Sequence, residues 1–171
     1  MAVDAHDDAA PTVRLPAASK QGPLAAYDNK PVEFWPTAAI RMAVESGDLT
    51  VWQRIVVALK RDPFGRTARQ IEEVLESTSS PGITKALSEV LARSRSELEA
   101  DERLEVARLV QALIDRSGLG PREFASRVGV SGEELATFLD GDVSPSASQM
   151  VRMHRLADRF AKMKAQRSTR P

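Results

Sequence analysis

The sequence predicts an all-α protein, and three observations carry that expectation. From Thr37 onward apolar residues recur at three- and four-residue intervals. Helix-start and helix-stop residues fall at the ends of those runs. No segment shows the strict apolar–polar alternation of a half-buried strand. The expected order is a disordered N-terminal tail, a small helical N-terminal unit, a long connecting helix and a set of short helices. At 171 residues there is room for one domain or two small ones. Aromatics are 5% of the chain, so the core must be built from Leu, Val, Ile, Ala and Met.

Residues 1–36 carry five of the ten prolines (Pro11, Pro16, Pro23, Pro31, Pro36) among small and polar residues, with no helical or strand period. They read as a disordered tail, with Phe34 and Trp35 folding back onto the first helix. Thr37 to Ser46 forms that helix, with Ile40, Met42 and Val44 apolar and Gly47 as its stop. Asp48 N-caps a second helix to Arg61, with Trp52, Ile55, Val56 and Leu59 on one face, and Asp62-Pro63 ends it. A third helix runs from about Gly65 to Glu76, turning Ala68, Ile71, Val74 and Leu75 inward.

Pro81 suits the first turn of a fourth helix. Ile83, Leu87, Leu91, Ser94, Leu98, Val106, Leu109 and Leu113 follow one stripe with a polar gap at 99–103. A single helix from Pro81 to Arg116 is favoured over a break at Ser96, where Ser96-x-x-Glu99 fits a capping box. The domains are therefore drawn as 1–36, 37–100, 101–165 and a basic tail, 166–171.

After Gly118 the pattern turns to short helices. Pro121 to Val128 has Phe124, Ala125 and Val128 on one face, then Gly129-Val130, then Ser131 as N-cap with Glu134 three residues on. The next helix presents Leu135, Phe138 and Leu139 inward and ends at Asp140-Gly141. Ala125 is small where a second helix crosses, and Gly129 suits a left-handed turn. The pattern is that of a helix-turn-helix whose second helix turns its outer face to solvent.

The run Arg122-Glu-Phe-Ala-Ser-Arg-Val-Gly-Val-Ser131, with Leu135, Phe138, Gly141 and Ser144-Pro145-Ser146, resembles the phage-repressor (Cro/Xre) helix-turn-helix family. The likeness covers about Arg103 to Met163. The whole chain also resembles actinobacterial proteins that place a helical segment before such a domain. The resemblance implies a lambda-repressor-like five-helix domain and a dimeric, sequence-specific transcriptional regulator of double-stranded DNA. Arg122 and Arg127 would contact phosphates, and Gly132, Glu133, Ala136 and Thr137 would face the bases beside the N-capping Ser131. The recognition helix opens Gly132-Glu133-Glu134 where the family commonly has donors. A protein-interaction adaptor or antitoxin-like protein with weakened DNA binding is the alternative, with a protein partner on the N-terminal helices.

Charge placement bears on this choice. Lysine plus arginine equals aspartate plus glutamate, 24 each, which excludes a uniformly basic nucleic-acid binder. Residues 101–147 hold nine acids and five bases, whereas 148–171 hold seven bases and one acid. Lys162 and Lys164, in the basic C-terminal stretch, are therefore candidates to grip phosphates. On the same segment Met153, Leu156, Phe160 and Met163 form either core or a dimer seam, and core suits Leu156 best.

Neither a cofactor nor an enzymatic activity is expected. There is no cysteine, no Gly-rich phosphate loop and no metal motif. His6 falls in the tail and His154 stands alone. Glu72-Glu73 and Glu133-Glu134 are helix neighbours pointing about 100° apart, unsuited to paired-carboxylate chemistry. No signal peptide or membrane-length apolar run is present, so the expected location is the cytoplasm, at the nucleoid when bound to DNA.

Overall fold

The computed structural model describes residues 24–168, and among these all regular structure is helical. Seven α-helices follow in order: α1 Thr37–Ser46, α2 Leu49–Arg61, α3 Arg66–Ser77, α4 Pro81–Ser117, α5 Pro121–Val128, α6 Gly132–Leu139 and α7 Ala147–Ser168. None is long and apolar enough to cross a membrane.

Local chemistry sets the first three as the sequence suggests. Asp48 caps α2, its Oδ1 accepting from the Thr50 and Val51 amides at 2.8 and 3.4 Å. Gly47 ends α1 in the left-handed region at φ 67°. Ala68, Ile71, Val74 and Leu75 are buried on α3, and Ile55 and Leu59 on α2. Trp52 and Val56 are half-buried at the margin of this first core.

The tail expectation needs correction. Residues 1–23, with His6, lie outside the described residues, but 24–36 are structured. Two 3-10 turns, Ala25–Tyr27 and Val32–Phe34, lead into α1 and bury Val32 and Trp35. The Trp35 indole N–H donates to the Lys30 carbonyl at 3.0 Å, and its ring meets Tyr27 at 5.9 Å and the Arg54 guanidinium at 4.8 Å. Gln70 of α3 donates to the Trp35 carbonyl at 3.0 Å. Only Trp35 of the aromatic pair folds in; Phe34 stays 70% exposed. Proline-rich composition argues for disorder, yet buried Val32 and Trp35, with the indole satisfied and Arg54 and Gln70 bonding the backbone, hold the segment on the first core.

The long helix is continuous and, at 37 residues, about 55 Å in length. Ser96 lies within it, so the capping-box break does not occur. Its two halves serve separate cores. The first joins Leu87 and Leu91 to α1, α2 and α3; the second joins Val110, Leu113 and Ile114 to α5, α6 and α7. At about 100° per residue, these two buried faces are roughly 140° apart around the helix axis. The single stripe is borne out at Leu113 and fails at Leu109, which is 51% exposed while Val110 and Ile114 are buried in its place. Between the cores the helix relies on good helix formers, among them Leu98, Glu99, Ala100, Glu102 and Arg103. Arg95 ties α4 to the α2–α3 loop, donating to the Pro63 carbonyl at 3.0 Å and to Glu72 at 2.7 Å. That bond holds the Glu72 carboxyl below its ordinary pKa.

Residues 101–168 hold the end of α4 and three further helices rather than five in all, because 147–168 is one helix. Residues 166–168 continue α7 and are not a separate tail; 169–171 lie outside the described residues.

Candidate nucleic-acid interface

The site is built on the α5–turn–α6 corner. Phe124, Ala125 and Val128 of α5 meet Leu135 and Phe138 of α6 in the second core, closed from behind by Met153, Leu156 and Ala157 of α7. Gly129 takes φ 83° and ψ 40°, a left-handed turn that most side chains resist. The amides of Gly129 and Val130 both donate to the Ala125 carbonyl, at 3.0 and 3.1 Å. Ser131 then caps α6, its hydroxyl accepting from the Glu134 amide at 3.0 Å.

The reciprocal half of that capping box is replaced by a tertiary contact. The Glu134 carboxylate accepts from the Gln149 side chain of α7 at 2.7 Å. A full capping box forms instead at the start of α7. There the Ser146 hydroxyl accepts from the Gln149 amide at 3.2 Å, and the Gln149 side chain accepts from the Ser146 amide at 2.7 Å. The Ser146-x-x-Gln149 spacing is the signal by which the sequence could have marked it.

Positions 132, 133, 136, 137 and 140 share the outer face of α6. Gly132, Glu133, Ala136 and Asp140 are exposed and Thr137 is half-buried. Glu133 has no hydrogen-bond or ion-pair partner among the described residues. The Thr137 hydroxyl is engaged locally, donating to the Glu134 carbonyl at 2.8 Å.

The four basic residues expected to contact phosphates divide into three groups. Arg122 stands exposed in the first turn of α5. Arg127 is occupied, held by Glu123 on its own helix at 2.8 Å and resting over the Phe160 ring at 5.0 Å. Lys162 and Lys164 are exposed on the last turns of α7, about 20 Å along its axis from Gln149. A cation that sequence reasoning did not single out is nearer the turn. The Arg152 guanidinium lies over Gly129, 3.6 Å from where a Cβ would stand. On α7, Met153 and Leu156 are core, Phe160 is partly covered and Met163 is exposed, so the four residues do not form one seam.

Beside the far end of α6 lies a shallow apolar groove between α4 and the α6–α7 loop, lined by Val106, Leu109 and Val143 and rimmed by Glu102, Glu105 and Asp142. Arg103 anchors this loop by donating to the Gly141 carbonyl at 3.2 Å.

No family model, curated protein or solved structure matches the chain.

Proposed function

We propose that the C-terminal unit binds double-stranded DNA with α6 in the major groove, and that the chain is a transcriptional regulator acting at the nucleoid. One observation carries the reading. The α5–α6 corner is locked by Gly129, Ala125, Leu135 and Phe138, while the outer face of α6 is left uncovered among the described residues. A helix so presented is what major-groove docking requires. The resemblance to phage-repressor helix-turn-helix proteins points the same way.

The positions of the cations refine which residues grip phosphates. Arg152, beside the turn, and Arg122, exposed at the start of α5, are the primary contacts, and Arg127 positions α5 through Glu123 and Phe160. Lys162 and Lys164 add attraction at longer range. Two copies are needed to span a palindromic site, and the exposed groove of Val106, Leu109 and Val143 is the apolar surface proposed to join them. Leu109 and Val143 are 51% and 52% exposed, available to a second copy. Leu109→Glu is expected to shift the protein from dimer to monomer in sedimentation equilibrium, with the melting curve retained. A monomeric parent protein at micromolar concentration removes the dimer from this reading.

The DNA reading is tested by mobility shift at two salt concentrations. The full chain is expected to bind duplexes with an affinity that falls steeply with salt. Replacing Arg122 and Arg152 by Ala is expected to weaken specific and random duplexes alike. The log–log salt slope should drop by about 0.9 for each phosphate that is no longer neutralised. Absence of binding at low salt overturns the reading. It leaves the second one, a protein-interaction adaptor, which the neutralisation of Arg127 by Glu123 and the acidic face of α6 favour.

A further inference from the structure

We infer that α6 reads a cytosine through Glu133, an inference that rests on the DNA-binding reading above. The outer face of α6 holds Gly132, Glu133, Ala136, Thr137 and Asp140. It offers no arginine, lysine, asparagine or glutamine, the side chains that pair with guanine or adenine edges in the major groove. Glycine contributes no side chain, and the Thr137 hydroxyl is bound to its own helix. Asp140 stands just past the C-terminal end of α6, two turns from the N-terminal end by which a recognition helix meets the bases.

The Ser131 and Thr137 hydroxyls, each already engaged with its own backbone, are neutral groups that discriminate little between bases. Glu133 is therefore the one charged acceptor on the part of this face that meets the bases. Its carboxylate is exposed in the first turn, without a partner among the described residues. Its neighbour Glu134 differs, because the Gln149 side chain holds it back against α7 at 2.7 Å. One acid is therefore structural and the other free to accept. An ionised carboxylate only accepts hydrogen bonds. Of the major-groove donors, the N4 amino group of cytosine is presented without an adjoining acceptor on the same base, whereas adenine N6 sits beside the N7 acceptor, which repels a carboxylate. Ala136 lies one turn further along the same face, where its methyl can meet a thymine methyl. The half-site this face fits is a cytosine, with thymine a base pair or two away.

Selection from a randomised duplex pool, with the full chain and with Glu133→Gln, tests the inference. Glutamine pairs bidentately with adenine N6 and N7. The parent protein is expected to enrich a motif with one dominant cytosine, preferred roughly ten- to a hundredfold over other bases. Glu133→Gln is expected to convert that position to adenine and leave the remaining positions unchanged. Glu134→Gln should return the parent motif. An enriched motif that is the same for the parent and Glu133→Gln overturns the cytosine assignment while leaving DNA binding standing. A pool from which neither protein enriches any duplex, even at low salt, overturns the DNA-binding reading itself.

Discussion

Leu135→Asp is expected to unfold the C-terminal unit while both tryptophans keep their native emission. Leu135 is 2% exposed at the centre of the second core, against Phe124, Val128 and Phe138. Losing such a side chain costs about 2–5 kcal/mol. A carboxylate left there without a partner adds its desolvation penalty. Natural domains hold only roughly 0.05–0.15 kcal/mol per residue, so a unit of this size cannot absorb both. Circular dichroism should lose the contribution of α5, α6 and α7. Trp35 and Trp52 belong to the first core, on the other side of α4, so fluorescence reports that core alone. Retained dichroism and an unshifted melting transition would show that Leu135 is not the keystone of the α5–α6 corner. Simultaneous loss of the tryptophan signal would show that α4 couples the two cores into one cooperative unit.

Trp35→Ala is expected to do the reverse, costing the first core about 3–5 kcal/mol and sparing the second. Trp35 is 1% exposed and is the largest fully buried side chain of the described residues. Its removal also frees Tyr27 and Arg54, which pack on its ring, and leaves a cavity beside Gln70. Denaturant titration followed by the remaining Trp52 should show an earlier first transition, with the α5–α7 transition unmoved. The same logic sets a limit on truncation: removal through residue 30 deletes Tyr27 and the Lys30 carbonyl that receives the indole N–H. An unchanged first transition in Trp35→Ala would mean that residues 24–36 do not close this core.

Much of the architecture is legible in the residues. Periodicity and caps are local properties, and they place α1, α2, α3, α5 and α6 to within a residue or two. The Ala125–Gly129 spacing also specifies the turn, because a left-handed φ is a demand on one residue. The exposed face of α6 follows from helical geometry once Leu135 and Phe138 are placed inward.

What the sequence leaves open depends on partners distant along the chain. In α4, Val106, Leu109 and Leu113 form one helical stripe, and Val110, Ile114 and Ser117 form another. Periodicity alone cannot rank them. The approach of α5, α6 and α7 from a side roughly 140° away from the first core buries the second stripe together with Leu113, covers part of Val106 and leaves Leu109 in solvent. The proline-rich neighbours of Trp35 point to disorder, whereas its burial depends on Lys30, Arg54 and Gln70 arriving together. The Ser131-x-x-Glu134 spacing marks Glu134 as a capping acid, but it does not say where its carboxylate goes. The packing of α7 on α6, which brings Gln149 within 2.7 Å of that carboxylate, fastens Glu134 and leaves Glu133 in solvent. The sequence by itself determined where helices begin, end and turn, because those choices are made within a few residues. The tertiary structure decided which faces meet, because burial is a property of two surfaces and neither one specifies it alone.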